Sequence, residues 1–145
     1  MSSVLARAGD LGDGRIDNWI IDASVHVTTG IAVLVTMTIA AGWILRLALV
    51  GATLDRIGRW TLVVAQVVLG LQILLGIKLL DQGQGIGQLY IHYVGGLLPM
   101  GAFLAGGWFA RGDSPRSTRV LAALVTLGWL SATMAFVIGR AYVNR

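Results

Sequence analysis

The chain has 145 residues, 56% of them apolar and only 12% charged, with a formal net charge of +4 and a mean hydropathy of +0.77. An ordinary soluble domain carries about 25% charged residues, so a soluble globular fold is excluded. With no cysteine in the chain, disulfides, thiolate-held metals and thiol redox couples are excluded as well. There is no glutamate, and none of the seven aspartates (Asp10, Asp13, Asp17, Asp22, Asp55, Asp81 and Asp113) falls in the middle of an apolar stretch. A proton pump or ion carrier keeps an ionisable group near the bilayer midplane, which argues against a transporter.

Residues 1–22 read as a polar N-terminal tail without an apolar run long enough for a signal-peptide core, so the tail is expected to stay on the mature protein. Within it, Ile16 to Ile21 is expected to lie at the membrane interface, anchored by Trp19. Residues 23–145 read as one all-α, polytopic domain. Four windows free of charge cover 23–45, 60–77, 82–110 and 120–139, and a bilayer core needs about 17 to 25 helical residues. The predicted spans are therefore about 23–45, 60–77, 89–110 and 120–139. Their short connections force antiparallel neighbours, which gives an up-down-up-down four-helix transmembrane bundle.

The turns carry their own signals. Asp81 to Gly87 supplies three glycines and two amide side chains between spans two and three, a composition that folds back tightly. Before span four, Asp113 or Ser114 is the expected N-cap, with Pro115 in the first helical position. Pro99 is expected to kink span three.

Orientation follows from the basic residues. The first and third connections hold Arg46, Arg56, Arg59, Arg111, Arg116 and Arg119, whereas the opposite side holds Arg7, Arg15, Lys78, Arg140 and Arg145. A six-to-five excess puts the arginine-rich loops inside and both termini outside, in a bacterial-type inner membrane. Because these cations sit at span ends, the pI near 10.4 is a topology signal and not a nucleic-acid site.

The two histidines are the residues most open to a functional reading, since a membrane-helix histidine is uncommon. His26 lies three residues into span one, and His92 lies three residues past Leu89 in span three. These spans run in the same direction, so the imidazoles share a depth about one helical turn below the terminal-side surface. Each is followed by glycine at i+4, in His26-Val-Thr-Thr-Gly30 and His92-Tyr-Val-Gly-Gly96, with Gly95 a second small residue. Residues i and i+4 share a helix face, so a flat macrocycle ligated from both sides would find clear ground there. Spans one and three are diagonal in such a bundle, the arrangement that axial ligation of one haem b requires. The alternative is plainer: a histidine near the surface can bond headgroups or a loop, and small residues at i+4 are common packing devices in membranes. A second haem needs another histidine about 14 residues along each helix, where this chain has Ala40 and Gly106. Haem propionates would find Arg15, Lys78 and Arg140 as the cations on the histidine side.

This pattern resembles one four-helix half of the haem A synthase family and, more loosely, other bis-His membrane cytochromes b. The resembling stretch runs from about Asp22 to Ala110. It comprises His26, the helix segment Ala65-Gln66-Val67-Val68-Leu69-Gly70, a loop, and His92 within Ile91-His92-Tyr93. The family's first motif carries a catalytic Glu and an Arg where this chain has Ala23 and Val27. The resemblance thus implies haem binding, with the histidine pair facing outside, and does not imply synthase activity. Three functions remain: a one-haem electron-transfer subunit, a cofactor-free structural subunit of a larger respiratory or photosynthetic complex, and an enzyme of haem modification, disfavoured by the missing Glu. The expected partners are membrane lipid, subunits of a redox complex and a quinone, with no nucleic acid.

Overall fold

A computed structural model describes residues 19–84, 90–109 and 114–143. They form four helices: α1 (Ala23–Leu49), α2 (Arg56–Asp81), α3 (Tyr90–Phe109) and α4 (Pro115–Val143). The protein is an all-α four-helix bundle. Helices α1 and α2, and Pro115–Ala141 of α4, are long and apolar enough to cross a membrane. Helix α3, at 20 residues, spans about 30 Å, the thickness of a bilayer core. It runs through Pro99 as one helix, and the Pro99 backbone lies 3.3 Å from where a side chain on Gly128 of α4 would begin.

Three of the helices extend beyond the charge-free windows because the chain caps them locally. Asp22 accepts the Ser24 N–H at 2.7 Å to start α1, and Asp55 accepts the Gly58 N–H at 2.7 Å to start α2. Ser114 caps α4 by accepting the Ser117 N–H at 3.1 Å, with Pro115 first in the helix. Helices α1 and α2 end alike. Gly51 and Gly83 adopt φ of +70° and +74°, and the following N–H groups of Ala52 and Gln84 reach back to the carbonyls of Leu47 and Leu79 at 2.9 Å. That is the Schellman closure, in which glycine takes the left-handed position other residues resist. Gln82 then clamps the entering chain: its side-chain amide accepts the Ile21 N–H at 2.7 Å and donates to the Ile21 carbonyl at 2.9 Å.

Helices α1–α2, α1–α4 and α3–α4 pack along their lengths, α2 and α3 touch sparsely, and the diagonal pairs do not pack backbone to backbone. The apolar core is displaced toward the arginine-rich end. It comprises Val33, Met37, Ala40, Ile44 and Leu47 of α1, Leu62, Ala65 and Leu69 of α2, Phe103 of α3, and Leu121, Ala122, Val125 and Ala132 of α4. The opposite end is lined by half-buried polar side chains. Because the outward faces of all four helices are also apolar, lipid is the natural surrounding solvent.

Asp55 is the busiest residue of the arginine-rich end. It caps α2 and accepts the Trp43 indole N–H at 3.0 Å, while Arg46 lies 5.3 Å over the Trp43 ring. The Gly58 N–H, and then the indole, hold its carboxyl below the ordinary carboxylate range. A carboxyl lowered in the folded state stabilises fully above its unfolded pKa and loses that contribution as pH falls through the folded value. Asp55→Ala is therefore expected to lower the melting temperature in detergent by a few degrees at pH 7. The gap to wild type should narrow as pH falls below the free-carboxyl value near 4 and vanish below the lower folded value. A gap unchanged by acid would assign the effect to packing alone.

Candidate functional site

The end of the bundle away from the apolar core is where the two histidines meet. His26 is the fourth residue of α1 and His92 the third of α3. Although their helices are diagonal, the ring centroids are 6.4 Å apart at an interplanar angle of 66°. The side chains bridge the centre that the backbones leave open.

Each ring rests in a notch on the next helix in the chain. A Cβ on Gly76 of α2 would lie 3.2 Å from His26 Cε1, and one on Gly139 of α4 would lie 3.0 Å from His92 Cε1 and 3.1 Å from Nδ1. The two hairpins α1–α2 and α3–α4 thus repeat one device, a histidine on the first helix seated over a glycine on the second.

Hydrogen bonds distinguish the two rings. His92 Nδ1–H donates to the Ala135 carbonyl at 2.9 Å, which leaves Nε2 with its lone pair. Such a carbonyl partner is the usual way a ligating imidazole is held in one tautomer and one orientation. At the other ring, the Gln72 amide donates to His26 Nε2 at 3.1 Å, and Gln72 Oε1 is held by the Thr29 hydroxyl. His26 Nδ1 then carries the proton, yet it is buried and has no partner. An unmet buried polar group costs about 1–3 kcal/mol, so the His26 environment is incompletely satisfied. The Tyr93 hydroxyl is likewise buried without a partner, and its ring stands edge-on to His92 with centroids 5.7 Å apart.

This arrangement fits axial ligation of one iron. Two metal–imidazole bonds of about 2 Å each, plus the ring radii, put facing imidazole centres roughly 6 Å apart. Of the two donors His92 is ready, since its Nδ1–H is held and Nε2 keeps its lone pair, whereas the His26 Nε2 lone pair is met by the Gln72 amide, which ligation would displace. Among the described residues no group of three or more His or Asp side chains could hold a metal ion.

The other residues singled out from the sequence are distributed unevenly. Gly30 is buried, and a Cβ there would meet Phe136 at 3.2 Å and Gln72 at 3.3 Å. The ground one turn below His26 is therefore filled by side-chain ends and not by backbone. Gly95 serves close approach of α3 to α4, since a Cβ there would lie 3.2 Å from Ala135 Cβ, beside a 2.9 Å bond from the Ser131 hydroxyl to the Gly95 carbonyl. Gly96 has open space around it. Lys78 and Arg140 occupy the last turns of α2 and α4, at the histidine end. Lys78 pairs with Asp81 at 2.6 Å, and Arg140 is exposed. Arg15 lies outside the described residues.

Gln72, Gly76, Phe136 and Gly139 were not apparent as a group from sequence. A depth count could have found the glycines. Gly76 is sixth from the end of α2 and Gly139 fifth from the end of α4, each level with a histidine on the antiparallel neighbour. No protein-family model, curated protein or solved structure matches the chain, so its function is argued from these residues themselves.

Proposed function

We propose that the chain is a membrane-embedded b-type cytochrome subunit that binds one haem through His26 and His92 for electron transfer. The observation that carries this reading is the approach of the imidazoles, 6.4 Å between centroids, from diagonal helices whose backbones do not pack. When bound, the haem supplies a one-electron couple.

The chain's own groups account for the rest. The Ala135 carbonyl orients His92, and Gln72, anchored by Thr29, meets His26. Gly76 and Gly139 leave the rings room. Lys78 and Arg140, on α2 and α4 at the same end, are the described cations available to propionates. Two protein ligands leave no open coordination position for oxygen or carbon monoxide, which favours electron transfer over catalysis.

The stoichiometry is supported by what stands where a second pair would be. Ala40 is fully buried in the core, and a Cβ on Gly106 would already lie 2.8 Å from Leu121. One haem near one surface cannot carry an electron across the membrane alone, so the reading includes partner subunits of a redox complex or a quinone as donor and acceptor. The charge count puts the histidine end and both termini on the outside of a bacterial-type inner membrane.

The test is a reduced-minus-oxidised visible spectrum of the protein purified in mild detergent from cells with ample haem. A sharp low-spin b-type signal at one haem per chain, unchanged by carbon monoxide, is the expected result. A colourless protein would favour a cofactor-free structural subunit, with the histidines as packing groups.

A further inference from the structure

At the end of the bundle away from the histidines, α1 and α2 leave an open groove of about 450 Å³. Thr36 and Ile39 of α1 and Arg56, Ile57, Trp60 and Val64 of α2 line it. Its two ends differ chemically. Arg56 is the first residue of α2, so its guanidinium belongs to the membrane surface. From there the lining passes Trp60, an amphipathic ring of the kind found at headgroup depth, and reaches Val64, eight residues and about 12 Å further in. On α1 it reaches Thr36, some 13 residues or about 20 Å from Leu49.

The groove is thus charged where it meets the interface and apolar to mid-bilayer. Its polar floor does not alter that character. The Thr36 hydroxyl is spent on its own helix, donating to the Ala32 carbonyl at 2.8 Å, and Thr61 donates to the Gly58 carbonyl at 2.9 Å.

The geometry points to a seat for an anionic phospholipid, with its phosphate at Arg56 and one acyl chain along Ile39, Trp60 and Val64. Charge complementarity selects the occupant. The same end carries Arg46, Arg116 and Arg119 on the described helices, and basic recesses between membrane helices favour acidic headgroups. An apolar groove of this length facing the bilayer also excludes a free phosphate, which would fill none of it. The inference is independent of haem binding, since the groove and the histidines occupy opposite ends of the bundle.

The experiment is native mass spectrometry of the whole chain released from nanodiscs of equimolar phosphatidylglycerol and phosphatidylcholine. One cation near the surface contributes about 1 kcal/mol, equivalent to about fivefold, so wild type should retain phosphatidylglycerol about fivefold over phosphatidylcholine. Arg56→Gln is expected to bring the ratio near one. Ile39→Trp, at an exposed position outside the core, should lower retention of both lipids. Arg119→Gln, at the same end on α4 but outside the groove, should leave the ratio unchanged. Equal retention by wild type, a preference that survives Arg56→Gln, wild-type retention in Ile39→Trp, or an equal loss in Arg119→Gln would each overturn the seat.

Discussion

Replacing His92 with alanine is expected to abolish the low-spin b-type signal and make the remaining pigment sensitive to carbon monoxide. The expectation follows from the two-ligand geometry. With His92 gone, His26 can hold an iron from one side only, and the opposite coordination position opens to exogenous ligands. His26→Ala should do the same from the other side, and the double variant should be colourless. Retention should fall by more than the roughly 10- to 100-fold that loss of an outer hydrogen-bond partner costs a metal site, because here a ligand itself is removed.

Folding is not the expected casualty. Both rings are only half-buried, and the apolar core of Met37, Ile44, Leu69 and Val125 lies toward the other end. The variants should therefore keep wild-type helicity and elution volume, and that control separates lost ligation from lost structure. A full low-spin signal in either single variant would remove that histidine from the iron. Loss in one variant alone would leave the other ligand to be found elsewhere.

The sequence specifies depth well and rotation poorly. Charge-free windows fell on the four helices because charged side chains are rare near a bilayer centre. Ser114 and Pro115 could be read as a helix start because capping is local chemistry. The diagonal relation of His26 and His92 followed from short connections alone. Rotation about each helix axis is another matter. These helices are apolar nearly all round, with Val35, Val67, Leu104 and Val137 facing outward as Val33, Leu69, Phe103 and Val125 face inward. A helix of that kind gives no stripe from which to read the inner face.

The glycines illustrate the consequence. Gly30 and Gly96 share the i+4 spacing from a histidine and Gly95 stands at i+3, yet Gly30 meets Phe136 and Gln72, Gly95 abuts Ala135, and Gly96 faces open space. The glycines that make room for the imidazoles, Gly76 and Gly139, lie on other helices and become visible only when the partners are known. Gln72 was hidden for a related reason. A single amide in an apolar helix can point anywhere, and only the antiparallel register of α1 and α2 brings it to Thr29 and His26.

Gly139→Ala should separate the histidine site from the fold more sharply than any histidine substitution. Its new methyl would stand 3.0 Å from His92 Cε1 and 3.1 Å from Nδ1, closer than carbon atoms ordinarily pack, so the ring must turn or move. Either motion stretches the 2.9 Å bond to the Ala135 carbonyl, which fixes the nitrogen that would ligate the proposed haem. Loss of such a partner costs about 10- to 100-fold in metal affinity, and haem retention in a dilution assay should fall by that order. The helix itself gains, since alanine is favoured over glycine by about 1 kcal/mol in a helix interior. Melting of the haem-free protein should consequently change little or rise. Gly76→Ala, at 3.2 Å from His26 Cε1, should have the same sign and a smaller size, because Gln72 is a flexible partner that can follow the ring. Gly96→Ala, with nothing within 4 Å, should be silent on retention. The order Gly139, Gly76, Gly96 follows from contact distance and from how firmly each ring's partner is held. Were Gly96→Ala the most damaging of the three, the ground needed by the macrocycle would lie on α3 beside His92, and the notches on α2 and α4 would be packing features without a part in ligation.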